Sequence, residues 1–274
     1  MLEELIALRQ KIKDVKPLVH CLTNHITIND CANILLAMGA KPIMAEHPLE
    51  VSGITASADA LAVNLGNISD LRMKSMLISG RTAKKENIPI TIDLTGIAAS
   101  SFRLDFAVRF IKETSPHLIK GNVSEIKTLF TGVSTGRGVD ASVEDKEMNP
   151  LEIAKLAFFL ANEYNAVILV SGEVDVVANK EKAVCLQNGD KMLANITGTG
   201  CMQTVLAAAC TSNGNVFSGA VLGATLLAIS GEIAAQSAKG PASFKTGLFD
   251  VLYLLTSQDI ADYFTMTEVH HDEV

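Results

Sequence analysis

Ile88-Pro89-Ile90-Thr91-Ile92-Asp93-Leu94-Thr95-Gly96 is followed by a helical stretch in which Phe102, Phe106 and Phe110 recur at every fourth position, and then by Leu118-Ile119-Lys120. A short apolar run, a helix-period segment and a second apolar run are the parts of one βαβ unit. Asp93 closes the first run. A carboxylate at the carboxyl end of a parallel strand lies in the crevice where open α/β sheets bind ligands. The plainer alternative is that Asp93 caps the turn that follows it.

The same alternation extends in both directions along the chain. Residues 17–20, 42–45, 60–65, 88–93, 118–120 and 166–170 read as strands, with helical patterns between them. This predicts an α/β fold with a mostly parallel sheet. Asn149-Pro150-Leu151-Glu152 opens one helix, with Asn149 as N-cap, Pro150 at the first helical position and Glu152 closing a capping box. Residues 174–179 and 183–187, followed by Asn188-Gly189, read as short antiparallel strands with hairpin turns. From 201 to about 255 the pattern is helical throughout. The apolar, Gly- and Ala-rich run 216–229 is too short to span a bilayer and reads as a buried helix. Residues 134–148 and the tail after about 266 are expected to be poorly ordered. With no linker in evidence, residues 1–274 are read as a single domain.

Composition narrows the function classes. Hydrophobic residues make up 48% of the 274 and charged residues 19%, enough apolar material for one large core. The formal net charge is −7, with 23 basic and 30 acidic residues, so there is no footprint for nucleic acid. A nucleotide can still bind such a chain if backbone amides and a metal ion carry its phosphates. The five cysteines, Cys21, Cys31, Cys185, Cys201 and Cys210, show no CxxC spacing, which fits a reducing compartment rather than disulfides or zinc. The N-terminus is amphipathic and lacks a signal-peptide core. These features lead to the expectation of a soluble, cytoplasmic protein without membrane contact.

Three motifs carry chemistry. In Ile196-Thr197-Gly198-Thr199-Gly200-Cys201 two glycines allow close backbone approach, and the amides of the helix that follows face a phosphate or a developing negative charge. Cys201 shares that positive field, which should lower its thiol pKa and make it a base or nucleophile. A packed glycine turn with a small buried cysteine is the alternative. In Lys120-Gly121-Asn122-Val123-Ser124-Glu125 a carboxylate and an amide three apart could reach a hydrated magnesium ion, but Asn-x-x-Glu is equally an ordinary capping box. Ser171-Gly172-Glu173 ends a strand at the same edge, facing phosphate or forming a turn. His20, His25 and His47 show no ligand spacing, and His270-His271 lie in the tail.

Together these pieces resemble the hydroxyethylthiazole kinase family of the ribokinase-like superfamily. The resemblance is carried by Val19-His20-Cys21-Leu22-Thr23-Asn24, Asn29-Asp30-Cys31-Ala32-Asn33 and the run from Ala37 to Ala45. It continues through Asn64-Leu65-Gly66, Lys120-Gly121-Asn122 with Glu125, Gly138-Val139-Asp140 and Ser171-Gly172-Glu173-Val174-Asp175. Gly198 to Cys201 and Lys239-Gly240-Pro241 complete it. It implies a ribokinase-like three-layer sandwich, a mostly parallel central sheet flanked by helices, without a separate lid domain. It also implies a homotrimer and ATP- and Mg2+-dependent phosphorylation of the primary hydroxyl of 5-(2-hydroxyethyl)-4-methylthiazole in thiamine salvage. On matching positions it makes Cys201 the catalytic base. It places Met44, Gly198 and Asn24 at the thiazole, and Lys120, Ser171, Thr199 and Gly200 at ATP. Asp93, Asn122 and Glu125 fall near metal and phosphates.

The chain departs from the family pattern in places. Asp93-Leu94-Thr95-Gly96 stands where Asp-Pro-Val-Gly is usual, so the proline that stiffens the turn is missing. Lys120 replaces an expected Arg, keeping charge but losing the planar fork. Ser171 stands for Thr and Thr199 for Ala. Two other readings stay open: a related vitamin-precursor kinase for hydroxymethylpyrimidine or pyridoxal, and a nucleotide- or thiazole-binding regulator without catalysis.

Overall fold

Strand β3, Ala60–Asn64, is buried along its whole length. Ala60 and Ala62 join one apolar cluster while Leu61 and Val63 join another. Successive side chains on a strand point to opposite faces, so this division is what a central strand covered on both sides requires. Strand β4 (Ile90–Asp93) is buried in the same way, and β5 (Leu118–Asn122) and β6 (Val167–Ser171) are buried except at their last residues. The computed structural model describes residues 1–134 and 148–271.

Among the described residues nine strands form one sheet in the order β2-β1-β3-β4-β5-β6-β7-β8-β9. The others are β1 (Leu18–Leu22), β2 (Lys41–Ile43), β7 (Asp175–Ala178), β8 (Lys182–Leu186) and β9 (Met266–His270). β1 to β6 run parallel, and β7, β8 and β9 extend the sheet in antiparallel fashion.

Helices cover both faces. One layer holds α1 (Leu2–Val15), α2 (Ile28–Met38), α8 (Thr199–Thr211), α9 (Val216–Ala235), α10 (Pro241–Leu254) and α11 (Ser257–Tyr263). The opposite layer holds α3 (Val51–Ala56), α4 (Asp70–Lys85), α5 (Ser101–Thr114), α6 (Val123–Thr131) and α7 (Pro150–Tyr164). After β1 the chain enters α2 on the first layer, and after β3 it enters α4 on the second. The carboxyl ends of β1 and β3 therefore flank the topological switch point, where departing connections leave a crevice.

The expected strands all form, with ends moved by a residue or two, and the Asn149–Glu152 capping box is present. Three expectations are corrected. The first part of the tail is ordered: Met266–His270 pairs with β8, which otherwise exposes an edge on an extended antiparallel sheet, and residues 272–274 lie outside the described residues. Asn188-Gly189 does not close a hairpin. The turn between β7 and β8 is instead made by Asn179, whose side-chain oxygen accepts from the amides of Glu181 and Lys182. The apolar helix is longer than the run 216–229, reaching Ala235; its 20 residues are long and apolar enough to cross a membrane, yet most of it is buried inside the fold. Gly138, Val139 and Asp140, and the order expected to be poor across 135–147, lie outside the described residues.

Helix α8, which carries the glycine motif at its start, is held down by α9. A Cβ at Gly223 would stand 2.4 Å from the Cα of Ala207, and one at Gly219 would stand 2.9 Å from the Cys210 backbone. Only glycine allows so close a crossing. Gly223→Ala should therefore push α8 and α9 apart and cost about 1–3 kcal/mol, the usual range for overpacking. Urea unfolding would register a lower midpoint with an unchanged slope. An unmoved midpoint would mean the two helices separate freely.

Candidate active site

The residue alternation that builds the sheet also builds the site. Asn64, Asp93 and Lys120 stand opposite one another across β3, β4 and β5. By parity with Ala62 and Leu118, this row faces α8. Each is almost fully buried, Asp93 at 1% and Lys120 at 3% exposure. A charge at that depth needs partners. Asp93 Oδ2 accepts from Lys120 Nζ at 3.4 Å and from the Thr204 hydroxyl of α8, and its Oδ1 accepts from Thr95 Oγ1 at 2.7 Å. Burial works against the charge on Lys120, but Asp93, Glu125, the Cys201 sulfur and Asp175 outweigh it and raise its pKa. The ammonium is thus turned inward, and it also donates to the carbonyl of Gly200 at 3.1 Å.

The turn after β4 shows how the chain manages without the expected proline. The amide of Leu94 donates to the carbonyl of Lys120 at 2.8 Å, a bond that proline lacks the N–H to make. Gly96 sits at φ 83° with the Arg103 guanidinium packed where a Cβ would be. Its amide donates to Glu125 Oε1 at 2.7 Å.

Asn122 and Glu125 form the capping box of α6: Asn122 Oδ1 accepts from the Glu125 amide at 2.9 Å, and Glu125 Oε2 from the Asn122 amide at 2.8 Å. Burial, and then the charge of Asp93, push the Glu125 carboxyl up to about 7, while the Gly96 and Asn122 amides and Lys120 oppose the shift. A hydrated cation suits this donor set better than a bare one. Each carboxylate oxygen of Glu125 already accepts one backbone bond, leaving lone pairs for water, and the two carboxylates together create an excess of negative charge. Among the described residues no group of three or more His, Cys, Asp or Glu is arranged to hold a metal ion directly.

Gly198, at φ 91°, is the N-cap of α8; a Cβ there would stand 2.5 Å from Thr27 Cγ2. The following turn brings Cys201 to the switch point between β1 and β3. Its sulfur accepts from Asn24 Nδ2 at 3.2 Å and Asn64 Nδ2 at 3.3 Å. The expectation of a lowered thiol pKa is corrected. Burial and then the Asp93 carboxylate raise it, and Lys120, Thr27 and Asn24 offset the rise only in part.

The remaining expected residues lie along the same sheet edge. Asn24 follows β1, but its amide turns to Cys201 and Asn64. Met44 follows β2 and is half-buried against the apolar layer under α8, as is Cys201. Ser171 ends β6, with its hydroxyl 3.5 Å from the Gly121 carbonyl, and the Thr199 hydroxyl donates to the Leu193 carbonyl at 3.2 Å. Sequence reasoning had not assigned roles to Asn64, Thr95, Thr204, Asp175 or Gln203. Asp175 is buried, accepts from the Gly172 amide and from Gln203 Nε2, and is pushed up to about 6, chiefly by burial. For Asn64 the available signal was a polar side chain ending an apolar strand on the face that alternation assigns to a helix.

A raised thiol pKa leaves little thiolate at neutral pH, and that fraction grows as pH rises. Alkylation of Cys201 by iodoacetamide should therefore accelerate from pH 7 upward without levelling off below the ordinary cysteine range of about 8.5. A plateau near neutrality would mean that the helix start prevails over burial.

The chain is similar to known proteins over nearly its whole length. A model of the hydroxyethylthiazole kinase family matches residues 9–258. The chain is 49% identical over 255 residues to hydroxyethylthiazole kinase 2 of Clostridium botulinum (strain Hall), spanning 92% of this chain and 96% of the relative. The solved hydroxyethylthiazole kinase of Pyrococcus horikoshii OT3 superposes with a TM-score of 0.89 at 30% identity, over 97% of this chain and 99% of that one. Bacillus subtilis pyridoxal kinase, solved as an ADP complex, shares the fold with a TM-score of 0.56 at 13% identity, over 78% and 90% of the two chains. The chain belongs to the hydroxyethylthiazole kinase family.

Proposed function

We propose that this protein transfers the γ-phosphoryl group of ATP to the primary hydroxyl of 5-(2-hydroxyethyl)-4-methylthiazole. The observation that carries the reading is the position of Cys201. Its sulfur lies in the first turn of α8, beside the Gly198–Gly200 backbone and at the switch point of the sheet, with two amide donors on it. Family membership supports the substrate.

The substrate hydroxyl would sit between the Cys201 sulfur and the γ-phosphorus. Cys201 takes the hydroxyl proton as the oxygen attacks. Gly198 has no side chain to cap the helix, so the leading amides of α8 face the transferred group and stabilise its charge. Lys120, held charged beneath Gly200, adds a fixed positive field below that turn. Asp93 and Glu125 are the residues that would hold magnesium, through water. Magnesium supplies neutralisation of the phosphate oxygens when bound. Met44 would line the thiazole pocket and Ser171 and Thr199 the nucleotide side. The family resemblance also supports a homotrimer, which light scattering tests, and a cytoplasmic location.

Coupled ADP release with ATP, magnesium and the thiazole alcohol tests the reaction, with hydroxymethylpyrimidine as comparison. Turnover should depend on the thiazole; turnover with the pyrimidine alone would keep the kinase and replace its substrate. Cys201→Ala should slow turnover about 10²–10⁴-fold, the range of general-base catalysis, while ATP still binds. Wild-type turnover in that variant would remove Cys201 from the base role.

A further inference from the structure

Asn64 ends β3 at 2% exposure, and all of its polar positions are engaged. Oδ1 accepts from the Gly66 amide at 2.8 Å and from Asn24 Nδ2 at 3.2 Å. Nδ2 donates to Thr95 Oγ1 at 3.0 Å and to Cys201 Sγ at 3.3 Å. The direction of each bond is forced. A carboxylate only accepts, so the Thr95 proton goes to Asp93 Oδ1, and the Thr95 oxygen meets Asn64 as an acceptor. A flipped Asn64 amide would point its NH2 group at the Gly66 N–H and its oxygen at the Thr95 lone pairs.

Asn24 is locked in the same manner. Its Oδ1 accepts from the amides of Ile26 and Thr27, both at 3.1 Å, which leaves Nδ2 for Asn64 Oδ1 and Cys201 Sγ. Two amides are therefore fixed by groups remote from the sulfur, and both direct N–H at it. A tie between β1 and β3 needs only the bonds to Gly66 and Asn24. The bonds to Thr95 and the sulfur are additional, and they couple the Cys201 environment to Asp93.

We propose that Asn64 is a positioning residue for phosphoryl transfer: oriented by Gly66 and Thr95, it donates with Asn24 to the Cys201 sulfur and holds that sulfur as the acceptor of the proton leaving the substrate hydroxyl. This rests on the reading of Cys201 as base. In the step, the hydroxyl oxygen bonds to the γ-phosphorus as the bond from that phosphorus to the β,γ-bridging oxygen breaks, and ADP leaves with that electron pair. The hydroxyl proton passes to Cys201 in its thiolate form, the minor fraction at neutral pH, which becomes a thiol and later returns the proton to water. Donors on sulfur favour the thiolate. The other groups acting on it are Asp93 from β4, Lys120 from β5, Thr27 ahead of α2 and Cys31 within α2.

Asn64→Asp keeps the shape but puts an acceptor where the donor was. Cys201 is the one free cysteine that is not buried, so iodoacetamide alkylation of the folded protein reads its sulfur, with Cys201→Ala as control. In Asn64→Asp the alkylation profile should move to higher pH by about one unit or more, a tenfold loss of rate at fixed pH. The kcat for the thiazole should fall about tenfold or more while KM for ATP stays within about twofold. A folded Asn64→Asp protein with a wild-type alkylation profile, or with a shifted profile and unchanged kcat, overturns the proposal. If Asn64→Asp does not fold, Thr95→Val removes the acceptor that orients the amide and should shift the profile the same way; an unshifted profile overturns the proposal there too. Turnover retained in Cys201→Ala marks failure of the base role, whereas an inactive Cys201→Ala with unaltered Asn64→Asp marks failure of this inference alone.

Discussion

A carboxylate buried under a helix has to be answered, and most of the site follows from how Asp93 is answered. Lys120 supplies the charge, Thr204 a hydroxyl from α8, and Thr95 a hydroxyl from the adjoining turn. These three partners come from β5, α8 and the chain just beyond β4, so one carboxylate fixes the relative positions of three elements. Removing one partner of a buried pair typically costs about 3–5 kcal/mol, because the other charge is stranded. That magnitude exceeds anything an exposed ion pair such as Arg109–Glu113 would contribute. The arrangement is thus rigid where the chemistry needs it to be.

From Asp93 the order passes outward along two routes. Through Lys120 it reaches the Gly200 carbonyl and so the turn that starts α8. Through Thr95 it reaches Asn64 and then the sulfur of Cys201. Leu94 and Lys120, where the sequence differs from the expected pattern, fit within this frame. Leu94, where proline was expected, is fully buried and gives its amide to β5. The turn is stiffened by a sheet bond rather than by a ring. Lys120 lacks the two-pronged fork of arginine, but as a compact point charge it serves Asp93 and the Gly200 carbonyl at once.

The thiol illustrates two effects of opposite sign at one atom. The first turn of a helix favours negative charge, by about 0.3–1 kcal/mol for exposed groups. Burial beside a carboxylate disfavours it, and here burial prevails. The same competition acts on Glu125 and Asp175, both raised by desolvation despite backbone donors. A site with two carboxylates, Glu125 and Asp175, held above their ordinary range is one that gains from a cation and from excluded water.

The sequence by itself determined the α/β class, the parallel core and the capping boxes at Asn122 and Asn149, since hydrophobic period and cap chemistry are local properties. It also made Gly198 to Cys201, Asp93 and Lys120 legible, because glycine pairs and charged strand ends stand out against apolar runs. It did not determine that Met266–His270 completes the sheet, since pairing with β8 joins segments about 80 residues apart. Nor did it determine the direction of the Cys201 pKa shift or the hydrogen bonds of Asn64, Thr95 and Thr204. Those depend on distances across β1, β3, β4 and α8, and desolvation and hydrogen-bond direction arise only when separate segments are packed against one another.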